Sequence, residues 1–271
     1  MGTRGVSQSR ALRRHSLTTQ VVGVVCALQG EARHLAGRTT LPQHASVAAR
    51  ADGTLVTIAG MGGAAAALGA SNLVDAGAAA LVSWGLAGGL DPALAAGRIF
   101  LPSEVGAIDG PSVATARGWR EQLSAALAAH QPLTCGKLLT SSRAIASVAA
   151  KAALFRQTGA AAVDMESLSV AQVALAHGLP FIAVRVIVDG AGDDLPAAVR
   201  DAADASRQLR VWRLLGQMLL APAAVMPVIR LTRRYAAASR SLAAVARAGH
   251  LAPETFALGP DTGSSQGAAV S

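Results

Sequence analysis

Apolar residues fall into short runs along this 271-residue chain, separated by longer stretches rich in helix-forming residues. Val21–Leu28 is apolar at every position instead of alternating, the pattern of a strand covered on both faces. Thr54–Ala59, Ala79–Trp84 and Phe181–Val188 read as further strands, with shorter ones at Arg98–Pro102, Gly136–Thr140 and Ala161–Asp164. Helical stretches lie between them. They cover Glu31–Leu35, an alanine-rich segment from Gly63 to about Ala76, Trp119–Ala129, Ser147–Gln157 and Ser167–His177, the last stopped by Gly178 and Pro180. Two glycine-bearing segments, Gly60-Met61-Gly62-Gly63 and Gly85–Gly89, follow strands and are expected to turn. The alternation predicts an α/β domain built on a single mixed β-sheet flanked by helices.

The C-terminal stretch has a different pattern. Ser206–Leu220 and Pro227–Ala248 set leucine, valine and isoleucine against arginine at helical spacing. The expected organisation is a disordered extension at 1–19 and the α/β domain at 20–205. A basic amphipathic helical extension follows at 206–256, then a small-residue tail at 257–271.

Composition adds a large core and a lopsided charge. The chain is 52% hydrophobic but only 3% aromatic, so alanine, valine and leucine must fill the interior. Of a net charge of +8, the eight arginines between Ala205 and Pro253, a stretch with no acid, supply as much as the whole. Arg4, Arg10, Arg13 and Arg14 add more, so the body between is slightly acidic. A basic end implies an acidic surface as partner. Arg230, Arg233, Arg234 and Arg240 fall largely on one side, with Trp212 and Tyr235 among apolar neighbours, which suits a membrane interface. Simple packing of these helices on the sheet accounts for the same pattern. Nucleic acid fits less well, because aromatics for base stacking are few.

No run reaches the roughly 20 apolar residues of a membrane span; the nearest, Val211–Ile229, is broken by Arg213, Pro222 and Pro227. Arg13-Arg14 before Val21–Leu28 imitates an export signal but lacks a small-x-small cleavage site. Cys26 and Cys135 both lie in apolar strand-like runs and are expected as buried thiols in a reducing compartment. Neither a CxxC nor a histidine cluster suggests a metal.

Three carboxyls stand at or just past the ends of strands, where an open α/β sheet faces its crevice: Glu31, Glu166 and Asp189. Asp189 follows Val186-Ile187-Val188, surroundings that keep a carboxyl protonated near neutral pH and fit a general acid, although an aspartate capping a turn would look the same. Glu166 sits at a strand-to-helix junction, where the helix dipole alone favours a glutamate. Gly60-x-Gly62-x-x-Ala65 imitates a dinucleotide fingerprint. The next strand, however, ends in Ser83-Trp84-Gly85 where that fold wants an acid.

Taken in order, Ala27–Glu31, Gly60–Gly63, Gly85–Gly89, Met165-Glu166 and Arg185 with Asp189 resemble the nucleoside phosphorylase/nucleosidase superfamily, over residues 21–195. The resemblance implies cleavage of a purine–ribose bond. Asp189 would then protonate N7 of the base, Glu166 would accept hydrogen bonds from the ribose hydroxyls, and Met165 would pack on the sugar. Glu31 would hold the attacking water; Arg33 beside it opens the alternative of phosphate as nucleophile. Gly62, Ala87, Gly88, Val188 and Arg185 are expected to line the substrate. Val188 departs from the pattern, since many relatives carry a serine there, which leaves base recognition to backbone groups or Arg185.

Ser83–Pro92, Val163–Ser167 and the arginine-rich tail through Phe256 are further similar to the hopanoid-associated phosphorylase branch. That branch implies adenosylhopane as substrate, with release of adenine and a ribosyl- or phosphoribosylhopane during hopanoid biosynthesis. Relatives in the superfamily imply a homo-oligomer, and the basic C-terminal helices suit a cytoplasmic enzyme held at the inner face of the membrane; nothing in the sequence indicates a metal or a cofactor. A soluble methylthioadenosine/adenosylhomocysteine nucleosidase, or another purine nucleoside phosphorylase, would use the same carboxylates and remains the alternative.

Overall fold

The structure, a computed structural model, describes residues 21–36, 46–128, 133–195, 225–248 and 251; for 225–232 it describes the backbone alone. The expected extension at 1–19, the helix at Ser206–Leu220 with Trp212, and the tail at 257–271 lie outside these residues.

Among the described residues, eleven strands form one sheet. In chain order the strands are β1 (Val22–Cys26), β2 (Val47–Ala49), β3 (Leu55–Ile58), β4 (Ala80–Gly89), β5 (Ile99–Phe100), β6 (Glu104–Gly106), β7 (Ser112–Ala114), β8 (Leu133–Thr134), β9 (Lys137–Thr140), β10 (Ala162–Asp164) and β11 (Phe181–Asp189). The helices are α1 (Gln29–Ala36), α2 (Gly63–Asp75), α3 (Arg117–Ala128), α4 (Val148–Thr158), α5 (Ser167–Ala176) and α6 (Val225–Arg247). The mixed α/β architecture read from the alternation of runs is the one observed. Strands β2 and β6–β8 escape the sequence reading because each has only two or three residues and, unlike β5 and β10, lies outside the longer strand-like runs.

β4 organises the sheet. Along one edge it pairs in parallel with β11, from Leu81↔Phe181 to Gly88↔Asp189. Along the other it pairs first with β1, Ala80–Trp84 against Val22–Cys26, and then, antiparallel, with β10 at Gly88 and Gly89. The sheet forks between those two partners. Gly85–Gly89 is therefore the second half of β4 and not the turn its glycines suggest: two neighbouring strands hold it extended.

Apolar side chains cover both faces. Val24, Val82, Trp84, Val184 and Val186 pack on one side with α1 and α3; Val25, Leu81, Ala183 and Ile187 pack on the other with α2 and α5. α6 belongs to the first of these clusters. Ala238, Leu242 and Val245 are buried in it, and the helix lies against β11 and α1. Tyr235 places its hydroxyl against Gly30 of α1, so this aromatic faces protein. The two cysteines part company: Cys26 is buried as expected, but Cys135, in the link between β8 and β9, is exposed. It falls between two strands and not within one.

Because α6 is core, Leu242→Ala should cost about 2–5 kcal/mol in a urea melt, the range for truncating a buried leucine. A helix merely resting on the surface would lose under 0.5 kcal/mol.

Candidate active site

A buried guanidinium ties the strand ends together. Arg185, 2% exposed on β11, donates from Nε to Asp164 Oδ2 at 2.9 Å, and its Nη2 lies 2.7 Å from the same oxygen. Nη2 also donates to Ser83 Oγ of β4 at 2.7 Å and to Ser167 Oγ of α5 at 2.9 Å. Asp164, the last residue of β10, accepts in addition from Thr140 Oγ1 at 2.7 Å and from the Ser167 backbone N–H at 3.1 Å. One ion pair thus links β4, β9, β10, β11 and the start of α5. The sequence reading quoted Asp164 within its motif but gave it no role.

Glu31 fills the fork in the sheet. β1 ends opposite Trp84, and the next amide of β4 beyond Gly85, that of Leu86, donates to Glu31 Oε1 at 3.0 Å. Oε2 accepts from the N–H groups of Ala27 and Leu28 at 3.1 and 3.0 Å, closing the chain's exit from β1 into α1. Trp84 Nε1 donates to the Glu31 carbonyl at 3.1 Å and fixes the helix against the sheet. A Cβ on Gly85 would sit 2.6 Å from Glu31 Oε1 and 2.7 Å from Arg185 Nη1, so only glycine lets these groups approach the strand. Burial pushes the Glu31 carboxyl up, against the Arg185 charge and the backbone donors.

Glu166 stands at the N-terminus of α5, half-buried, and its Oε1 accepts from the Gly62 N–H at 2.8 Å. Gly62 precedes α2 with φ 91°, a conformation that aims its amide across to α5. Burial first, and the neighbouring Asp164 second, raise the Glu166 carboxyl to about 7. Among the described residues, Glu31, Asp164 and Glu166 surround a single guanidinium that Asp164 takes directly, so Arg185 offsets only part of that rise.

Asp189 closes the opposite side. The ladder slips at Val188, a bulge that brings Asp189 and not Val188 opposite Gly88. Both carboxyl oxygens lie 3.5 Å from where a Cβ on Gly88 would be. Oδ2 accepts from the ammonium of Lys151, which reaches in from α4. Burial raises the Asp189 carboxyl, with Lys151 opposing. Lys151 went unnoticed in the sequence. Its one signal was position: with Leu154 it occupies an i, i+3 pair, and these two are the buried residues of α4.

The remaining expected residues divide. Ala87 is buried and Gly88, Met165 and Val188 are half-buried around the second half of β4 and the ends of β10 and β11. Arg185 has its Nε and Nη2 committed beneath the carboxyls. Arg33 is two residues past Glu31, about 200° around the helix. It is exposed, donates to Ser239 Oγ of α6 at 3.0 Å, and is turned away from Glu31.

Residues 21–215 match the phosphorylase superfamily, and the chain belongs to that family, whose class is enzymes that cleave glycosidic bonds. No curated protein sequence is significantly similar to it. Among solved structures, the fold is similar to that of 5′-methylthioadenosine/S-adenosylhomocysteine nucleosidase from Helicobacter pylori (TM-score 0.63, 16% identity, covering 84% of this chain and 98% of that one). The nucleosidase of the same name from Neisseria meningitidis superposes with TM-score 0.61 at 18% identity, over 83% and 98%. Futalosine hydrolase of H. pylori gives 0.61 at 16%, over 84% and 97%.

Two outcomes follow from the geometry. Gly85→Ala should push Glu31 and Arg185 apart and lower turnover by about 10²-fold, the cost of misplacing reacting groups by an ångström, as read in a steady-state assay. Glu166, raised when folded, favours the folded state fully below its unfolded value near 4.5 and loses that contribution as pH rises through about 7. Glu166→Gln should therefore flatten the decline in melting temperature between those pH values; an unchanged decline would assign it elsewhere.

Proposed function

We propose that the chain is a purine nucleosidase that releases adenine from adenosylhopane, with water as nucleophile. The observation that carries the chemistry is the placement of three carboxyls in three environments around the second half of β4. Asp189, raised by burial, supplies the proton to N7 as the C1′–N9 bond breaks and its electron pair passes to the purine. Glu166 accepts from the ribose hydroxyls and offsets the oxocarbenium charge. Glu31, with three of its roughly four acceptor directions filled by backbone, offers the remaining one to a water attacking C1′. Arg33, engaged with Ser239, lends phosphate little support.

Support for a lipid-borne substrate comes from α6. A groove of about 680 Å3 between residues 95–98 and this helix is walled by alanines and carries Arg98, Arg240 and Arg247. Among the described residues none of the three is in an ion pair. Such a basic, small-walled groove suits anionic headgroups at a bilayer surface. Among the described residues, no helix is long and apolar enough to cross a membrane. Homo-oligomer formation remains part of the proposal through family resemblance.

A second reading rests on the fold neighbours named above: a nucleosidase of methylthioadenosine or adenosylhomocysteine would use the same carboxyls. Adenine release from adenosylhopane and from methylthioadenosine, each with and without phosphate, separates the two. Preference for the lipid without phosphate dependence is expected; preference for methylthioadenosine establishes the second reading. Asp189→Asn should lower kcat by about 10²–10⁴-fold, the usual worth of a general acid, while substrate still binds. Replacing Arg98, Arg240 and Arg247 together by alanine should weaken flotation with anionic vesicles. Adenine release from detergent-dispersed substrate should not change.

A further inference from the structure

What Asp189 can do depends on a side chain from another element. Lys151 is 0% exposed, and its ammonium has an acceptor for each of its three hydrogens: Asp189 Oδ2, the Gly190 carbonyl at 2.9 Å and the Asp193 carbonyl at 2.9 Å. α4 is fixed to present it. Ser147 caps the helix through the Ala150 N–H, Gly159 ends it at φ 64°, and Asp194 Oδ1 accepts from the Val148 N–H at 2.7 Å. The loop after β11 is thereby fastened to the start of the helix that carries the lysine.

The carboxyl that touches this buried ammonium is that of Asp189, and its Oδ2 accepts from Lys151 whether or not Oδ1 carries a proton. The carboxylate of Asp193 is turned elsewhere, to the Gly190 N–H at 2.9 Å and to Arg234 Nη2 at 2.6 Å. Asp189 Oδ1, in contrast, has no hydrogen-bond partner among the described residues and lies beside Gly88.

We propose that Lys151 is a positioning residue for the glycosidic cleavage. It holds Oδ2, leaves Oδ1 alone to face the departing base, and compensates the carboxylate that remains after proton transfer. The inference rests on the reading of Asp189 as the acid. In the step, the Oδ1–H bond breaks, an N7–H bond forms, and the electron pair of the glycosidic bond moves onto the purine. Asp189 is left as a carboxylate against an ammonium already in place. Without Lys151 the same anion would form in an apolar site with one cation less.

The charged groups facing Asp189 are Lys151 from α4, Arg234 from α6 and Asp193 from the loop after β11. Burial and Asp193 raise the carboxyl; Lys151 and Arg234 hold it down. Removing the lysine charge leaves Arg234 as the only opposing cation among the described residues, so the carboxyl rises further and becomes a weaker acid. Since the acid must be protonated to act, activity falls as pH rises through its value. Lys151→Met should therefore lower kcat by about 10²-fold or more and move the alkaline limb of kcat/KM upward by about one pH unit.

The experiment is the pH dependence of adenine release, from adenosylhopane or from methylthioadenosine, whichever the wild type turns over. It compares the wild-type chain with Lys151→Met, Lys151→Gln, Asp189→Asn and the Gln/Asn double variant. Glutamine keeps N–H donors for the Gly190 and Asp193 carbonyls without the charge, so it provides a folded variant if methionine does not. A lower kcat with a raised limb in the single lysine variant, and no further loss in the double variant relative to Asp189→Asn, supports the proposal. Wild-type rate and limb in Lys151→Gln beside an inactive Asp189→Asn overturns it and leaves the acid standing. Full activity in Asp189→Asn overturns the acid assignment itself.

Discussion

The Arg185–Asp164 pair is the contact on which the site depends. It joins the ends of β10 and β11, and through Ser83, Ser167 and Thr140 it reaches β4, α5 and β9. Both partners are buried, so each is an expensive charge that only the other makes tolerable. Losing one member of such a pair costs about 3–5 kcal/mol, because the survivor is stranded away from water. The same guanidinium holds the Glu31 and Glu166 carboxyls down, but burial outweighs it, so both are less acidic than usual, with Asp164 adding to the rise at Glu166.

Much of this was legible in the chain. The strongly apolar runs located β1, β3, β4 and β11, the strands that form the middle of the sheet, because strands buried on both faces need few polar positions. Glu31, Glu166 and Asp189 stood at or just past strand ends, and the resemblance to the nucleosidase superfamily gave those positions their chemical meaning. What could not be read is equally specific. The glycines of β4 look like a turn until β10 and β11 are seen holding them straight. Lys151 looks like one more surface lysine until α4 is seen to turn it inward. The bulge at Val188 leaves no trace in a run of apolar residues, yet it determines which residue of β11 meets Gly88. Each of these depends on a partner distant in sequence, and local pattern carries no information about that.

The basic C-terminal stretch shows the same limit from the other side. Its amphipathic spacing fits a membrane-facing helix and a packed helix equally well, since both need one apolar face. In the described part of α6 that face is spent on the core, through Ala238, Leu242 and Val245, and Arg234 is paired with Asp193. Of the arginines left over on this helix, Arg240 and Arg247 share a groove with Arg98, which lies far away in sequence.

The fork in the sheet has one more consequence. Glu31 accepts the Leu86 amide in the stretch of β4 beyond the end of β1, so its carboxylate works as a prosthetic piece of backbone, standing in for the carbonyl of a missing strand. A residue with that duty cannot be exchanged for catalytic reasons alone. Any side chain that improved the handling of a nucleophile would also have to keep two strands from unzipping. Chemistry at this position is therefore conservative by construction, and diversification within such a scaffold is pushed outward to loops and to surfaces such as that of α6.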